Sequence, residues 1–208
     1  MTDKTFTPKQ LKLIEKYRDS NVEHVKWWDC TYDDFKTRMA DEHIEVDDMR
    51  FSGFWSQGDG ASFTGYIKDN KGFMQVHDLT ESYPWITKLT EMGGDFTLKI
   101  ERTGYHYVHE NTVGVDLIYT TMFSHLLEYH QRDDLRSAIA DRWDQHLDEE
   151  YASLAGVVTD IIRGYCRELY KQLEEEYNYL TSDEAVWEAI EANELDLEDE
   201  DQTEEEEV

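Results

Sequence analysis

The residue types best suited to recognition chemistry lie in residues 51–65, which read F-S-G-F-W-S-Q-G-D-G-A-S-F-T-G. Glycine allows backbone conformations that other residues resist, and it leaves backbone N–H groups accessible. Gln57 and Asp59 add hydrogen-bonding side chains next to the indole of Trp55. Because loops carried on a rigid hairpin often hold binding groups, the stretch predicts a binding loop. Its members are Trp55, Ser56, Gln57, Gly58, Asp59 and Gly60.

A purely structural interpretation of residues 51–65 stays open. Met49 and Phe51 on one side, and Phe63 and Ile67 on the other, are typical of two strands joined by a hairpin. The glycines would then serve only the turn. The stretch is not a phosphate-binding loop, because it lacks a Gly-Lys-Ser/Thr ending and does not lead into a helix.

A second candidate for chemistry is the run Y-H-Y-V-H-E at residues 105–110. His109 and Glu110 are adjacent in the chain, and both side chains can gain or lose a proton. They could therefore serve acid/base chemistry or bind a small ligand. No nucleophile motif and no paired catalytic carboxylates accompany them. We therefore predict no catalytic residues, and we add His109 and Glu110 to the binding candidates.

Metal and cofactor binding are not predicted. The candidate metal ligands are His106, His109, His125, His130, Cys30 and Cys166. The first two would lie on opposite faces of a strand, and the next two are five residues apart, which misses the i, i+4 spacing of a helical metal pair. The two cysteines are far apart and form no CxxC motif.

Several helices must position these groups. Thr7, Pro8 and Gln10 form a capping box that starts a first helix, and a second helix is predicted from near Thr31, presenting Phe35 and Met39. Pro84 opens a short helix that should end at residues 93–94, which are both glycine. Residues 181–184 read T-S-D-E, another capping box, which predicts a last helix.

From about Asp133 apolar residues recur at steps of three or four. This period predicts a long amphipathic helix, either continuous or bent near Gly156 or Gly164. Its apolar face would contain Leu135, Ile139, Trp143, Leu147, Tyr151, Leu154, Val158, Ile161, Tyr165, Leu169, Leu173 and Tyr177.

The strand signals complete an α+β fold. Besides the hairpin, strands are predicted at residues 73–76, 96–102, 105–109 and 113–119, and the alternation of apolar and polar residues in 96–102 is the clearest of them. We expect an antiparallel sheet of about five strands, packed by short N-terminal helices and one long C-terminal helix. Residues 1–193 would form a single domain, and residues 194–208 a disordered acidic tail.

Charge restricts the partners of this chain. The net charge is −28, and residues 191–208 hold 11 acids and no base, so residues 1–190 still carry −17. Such a protein is repelled by nucleic acid and by anionic membranes, which argues against direct contact with either. It attracts basic proteins. Two isolated cysteines, the lack of an apolar signal core and the lack of an 18-residue apolar run predict a cytoplasmic protein.

Residues 51–63 resemble a signature found in small proteins of tailed-phage genomes. Residues 107–110 (Y-V-H-E), residues 179–185 (Y-L-T-S-D-E-A) and the pair Asn193-Glu194 resemble the same group. Some members carry the label "antitoxin of a toxin–antitoxin stability system". The resemblance implies a phage-type accessory protein acting in the host cytoplasm, and it brings no catalytic residues with it.

Three hypotheses for function follow. The leading one is a non-enzymatic accessory protein that binds and neutralises a basic host or toxin protein, as an antitoxin or anti-defence inhibitor. The second is an acidic DNA mimic that blocks a host nuclease or a CRISPR or restriction complex. The third is a small-ligand-binding protein or enzyme that uses residues 55–60 with His109 and Glu110. A homodimer through the long helix also stays open.

Overall fold

The computed structural model describes residues 5–23, 25–91, 96–104, 107–119 and 133–195. The predicted glycine stop at residues 93–94, the histidines 106, 125 and 130, and all of the acidic tail beyond residue 195 lie outside the described residues. The α+β fold class, the antiparallel sheet and the long C-terminal helix are confirmed. Among the helices that the structure describes, none is long and apolar enough to cross a membrane.

The elements follow one another in the order helix, helix, hairpin, two helices, hairpin, long helix, short helix. They are α1 (Pro8–Lys16), α2 (Asp29–Asp41), β1 (Ile44–Phe51), β2 (Ala61–Ile67), α3 (Asn70–Val76), α4 (Pro84–Glu91), β3 (Phe96–Arg102), a 3-10 helix (Glu110–Thr112), β4 (Val113–Tyr119), α5 (Asp133–Leu180) and α6 (Asp183–Ala192).

The sheet is an antiparallel meander in the order β1-β2-β3-β4. Strands β3 and β4 pair along their full length, from Phe96 opposite Tyr119 to Arg102 opposite Val113. The predicted alternation in β3 is confirmed, because Phe96, Leu98 and Ile100 are buried and the residues between them are not. Strand β1 has a bulge at its third and fourth residues, a device that protects an edge strand from pairing with another chain.

The described sheet has four strands. The predicted strand at residues 73–76 is wrong, and the one predicted at residues 105–109 is absent from its described part, residues 107–109. Residues 73–76 belong to helix α3, which Asp69 caps by accepting the N–H of Gly72 at 3.0 Å. Phe73 and Met74 are both buried, so this helix packs in the core. A short apolar run of this kind is compatible with a buried helix as well as with a strand. Residues 107–109 are irregular and lead into the 3-10 helix.

Helix α5 is continuous over 48 residues and supplies one wall of the core. Its buried stripe is Leu147, Tyr151, Leu154, Val158, Ile162, Cys166, Leu169 and Leu173. Ile161 and Tyr165, which we predicted for this stripe, are only half-buried. The stripe shifts by one residue because Cys166, a small apolar side chain, takes the core position beside the sheet.

The chain divides into two compact units: residues 1–31 with 171–208, and residues 32–170. The boundary of a single domain at residue 193 stays a prediction. In the first unit α1 packs on α6 around Ile14, Val186, Trp187 and Ile190. The Thr7 capping box is confirmed.

The last helix begins one residue later than its capping box predicts. Ser182 caps α6 by accepting the N–H of Ala185, whereas Thr181 donates its hydroxyl proton to the carbonyl of Tyr177. The carbonyl of Thr181 accepts a hydrogen bond from the Arg18 guanidinium at 3.0 Å. The end of one helix and the start of the next are therefore fixed together by local hydrogen bonds.

In the second unit a polar cluster lies where α2, α3 and α5 meet. Arg38 pairs with Glu168 and stacks over the ring of Tyr165. Glu42 accepts a hydrogen bond from the Tyr165 hydroxyl and lies 3.5 Å from Nε2 of His77. Within the described part of the chain, that Nε2 atom is buried without a hydrogen-bond partner. Burial therefore lowers the pKa of His77, against the opposing charge of Glu42.

This cluster predicts that acid destabilises the fold through His77. Because the folded state holds the pKa of His77 below its ordinary value of 6.5, the unfolded chain binds that proton more readily. The free energy of unfolding should therefore fall as the pH drops from neutral to below 6.5. Urea unfolding at about pH 7.5 and about pH 5.5 should show a smaller loss of stability on acidification in His77→Gln than in the wild type. An unchanged loss in the variant would contradict this assignment.

Candidate functional site

The glycine loop, residues 52–60, joins β1 to β2 and is closed by hydrogen bonds between its two ends. The N–H of Ser52 donates to the carbonyl of Gly60 at 3.0 Å, and the N–H of Gly60 donates to Oγ of Ser52 at 3.1 Å. Gly58 has a φ of +100°, a conformation that a side chain would strain. The two ends of the loop are therefore held together by hydrogen bonds, and Gly58 serves the turn.

Asp59 holds the interior of the loop. Its Oδ2 accepts the N–H of Trp55 at 3.0 Å and the N–H of Ser56 at 2.7 Å. Its own N–H donates to the carbonyl of Ser56 at 3.0 Å. A side chain at Gly53 would come within 3.3 Å of the same carboxylate. Asp59 thus fixes the direction of Trp55, while Gln57 is exposed to solvent.

The loop lies against residues 107–109, on the same side as the other predicted site residues. A Cβ atom at Gly60 would be 3.1 Å from Cα and Cδ2 of His109 and from the carbonyl oxygen of Val108. One at Gly58 would be 3.9 Å from the ring of Tyr107. This close approach depends on glycine, and it joins the two predicted binding segments into one surface. We call residues 52–60 with residues 107–110 the glycine-loop surface.

His109 and Glu110 form a close pair at the base of this surface. Nδ1 of His109 is 2.8 Å from Oε2 of Glu110 and also 3.1 Å from the N–H of Asn111. Only a protonated Nδ1 can donate to the carboxylate, and only an unprotonated Nδ1 can accept from Asn111. The proton on this nitrogen therefore decides which contact is made. Both side chains are largely buried, with 26% and 17% of their surface exposed.

Helix α5 holds both segments in place. Arg163 donates to the carbonyls of Val113 at 3.0 Å and Asn111 at 3.3 Å. Two turns further along the helix, the Tyr170 hydroxyl donates to the carbonyl of Gly53 at 3.2 Å, and its ring lies 5.5 Å from that of Phe54. Our sequence predictions missed Arg163 and Tyr170. No local pattern marks them, because their hydrogen-bond partners lie far away in the chain.

A cysteine lies beneath the surface but is not reactive there. Cys166 on α5 is fully buried, and burial raises the pKa of its thiol to about 12. The nearby charge of Glu110 acts in the same direction. The neutral thiol is a poor nucleophile, so Cys166 serves as a core residue. Within the ranges that the structure describes, no group of three or more metal-binding side chains comes together.

Two large aromatic side chains are exposed on the glycine-loop surface. Trp55 exposes 75% of its surface and Tyr107 exposes 68%. Trp55 also contacts the ring of Phe54 edge-on, and the Phe54 ring stacks on that of Phe51. The indole is thus backed by a column of rings and presented to solvent. Tyr107 was not among our predicted binding residues, although it lies two residues before His109.

A family model for a domain of unknown function, DUF8835, matches residues 27–183, which is well over half of the chain. The chain belongs to the DUF8835 family. The DUF8835 match contains both segments of the glycine-loop surface and the α5 residues that hold them, whereas α1 lies outside it. No curated protein matches the chain at a significant level, and no solved structure does so.

The role of Asp59 generates a prediction about loop order. Asp59→Ala removes the acceptor of two backbone N–H groups, so the loop should open locally while the core is retained. Amide hydrogen exchange at Trp55 and Ser56 should become faster by about tenfold or more. Gln57→Ala is the matched control, because that side chain is exposed on the same loop, and it should leave both rates unchanged. Equal exchange rates in the two variants would show that Asp59 does not order the loop.

Proposed function

We propose that this DUF8835 protein binds a basic protein through the glycine-loop surface and neutralises it without catalysing a reaction. In this proposal it is a phage-type accessory protein, antitoxin-like or anti-defence in role, that acts on a host or toxin protein in the host cytoplasm. The observation that carries the proposal is the fixed presentation of two exposed aromatic side chains, Trp55 and Tyr107, on adjoining segments.

Tryptophan and tyrosine are the residue types that most often dominate protein interfaces. They bury a large area on binding, and few of their torsions must be fixed. Here the loop is already fixed by Asp59, by its closing hydrogen bonds and by Tyr170, so ordering it on binding costs little. A mobile loop of the same composition would bind more weakly.

Charge favours a basic partner. The net charge of −28 attracts lysine-rich and arginine-rich proteins and speeds their encounter with this one. The faces of Trp55 and Tyr107 can stack on guanidinium groups, which is favourable by roughly 0.5–2 kcal/mol per pair. Electrostatic attraction and aromatic stacking therefore select the same class of partner.

A small-ligand site is the second candidate, and one observation favours it. The Gly60 backbone lies directly against His109, whose Nδ1 is close to the Glu110 carboxylate. A group able to gain or lose a proton therefore lies beside the loop.

Affinity capture from bacterial lysate tests the proposal. The baits are the full-length protein, a variant truncated after residue 190, and the double variant Trp55→Ala/Tyr107→Ala. We expect a basic protein that elutes at moderate salt, because the attraction is screened as ionic strength rises. The double variant should bind it at least tenfold more weakly, about 1.4 kcal/mol. The truncated variant should retain most of the affinity.

Tyr179→Ala is the matched control, because Tyr179 is an exposed aromatic residue on α5 outside the glycine-loop surface. It should bind the partner as the wild type does. A partner that binds the double variant at full strength would exclude this surface as the interface. Failure of every bait to retain a protein would favour the small-ligand candidate.

A further inference from the structure

A cavity of about 320 Å³ lies between the end of α2, the start of β1 and the residue that caps α3. It is separate from the glycine-loop surface, and its volume is within the range of small-molecule sites. Lys36, His43 and Lys68 line it together with the apolar side chains of Ile44 and Val46. Glu45 and Asp69 also line it, so the cavity wall has two lysines, one imidazole and two carboxylates beside these apolar side chains.

His43 adopts a backbone conformation that histidine resists. Its φ is +61°, in the left-handed region, directly after the last turn of α2. Glycine usually occupies this position at the end of a helix, because any side chain is strained there. Histidine is one of the few other residue types that adopt this conformation, and here its ring faces the cavity.

The ring of His43 is held on one side of the cavity by two contacts. Its Nδ1 is 3.4 Å from Oδ2 of Asp69. Its Cε1 and Nε2 lie over Gly72, where a Cβ atom would be only 2.4 Å and 2.5 Å from them. Gly72 thus provides the space that the ring occupies, and Asp69 fixes its orientation. The imidazole is positioned before any ligand arrives.

Lys36 is the charged group of the cavity wall that can receive an anionic ligand. Lys68 is paired with Glu45 at 3.5 Å, and Asp69 is engaged by His43 and by the N–H of Gly72. Lys36 has no ion pair with any residue that the structure describes, so its ammonium group is available to a ligand.

We propose that this cavity binds a small organic anion whose carboxylate or phosphate head contacts Lys36 and His43 and whose short apolar body lies on Ile44 and Val46. The head binds by charge and by hydrogen bonds from the lysine and the imidazole, and the body by burial of apolar surface. This inference does not depend on the proposed function, because it concerns different residues.

Titration monitored by amide NMR shifts tests the proposal with four probes: hexanoate, hexyl phosphate, inorganic phosphate and hexylammonium. We expect saturable shifts at Ile44, Val46 and Lys68 with hexanoate or hexyl phosphate, at concentrations up to about 10 mM. The tighter of the two identifies the head group. Inorganic phosphate should bind more weakly because it lacks the apolar body, and hexylammonium should produce no saturable shifts at these residues.

Two variants remove the charge and the ring separately. Lys36→Glu should weaken binding at least tenfold, whereas Lys12→Glu, the same charge change on an exposed residue of α1, should not. His43→Gly should weaken binding at least fivefold and yet unfold at an equal or higher temperature, because glycine relieves the strained backbone. Absence of saturable binding by both six-carbon anions, equal binding of hexylammonium, or equal effects of the two lysine variants would overturn the proposal.

Discussion

The close approach of Gly60 to His109 is the contact on which the site depends. A methyl group at residue 60 would meet the His109 backbone and ring at 3.1 Å, so glycine allows the two segments to approach this closely without moving apart. The contact brings together two segments that are about fifty residues apart in the chain. Arg163 and Tyr170 then fasten these segments to α5, so the site inherits the rigidity of a long helix with a fully buried stripe. An exposed indole on such a support can bind a partner without first being ordered.

A second set of contacts organises the opposite end of β1. The consecutive residues Glu42 and His43 reach the two ends of α3: His43 contacts Asp69 before the helix, and Glu42 lies near His77 after it. The left-handed backbone of His43 turns these neighbouring side chains in different directions. One strained residue therefore serves both the polar cluster and the cavity wall. The helix between them is short, and Glu42 and His43 lie close to the residues at its two ends.

The sequence predicted correctly those helices and strands whose position depends on interactions between residues close together in the chain. The capping box at Thr7, the proline at the start of α4 and the alternation in β3 each depend on residues a few positions apart, and each has the predicted structure. The same approach placed a strand at residues 73–76, where Asp69 in fact caps a helix. It also could not find Arg163, whose partners are fifty residues away. Contacts of this kind depend on the fold, and periodicity carries no trace of them.

The central claim is that the glycine loop and residues 107–110 form one ordered surface. The most direct test is a nuclear Overhauser measurement in solution on the wild-type protein, between the α protons of Gly60 and the Hδ2 proton of the His109 ring. A Cβ atom built on Gly60 would lie 3.1 Å from Cδ2 of His109, so an α proton pointing in that direction should give a strong cross-peak. We also expect slow exchange of the Trp55 and Ser56 amides. Assigned resonances with no such cross-peak, and fast amide exchange throughout residues 52–60, would contradict the account.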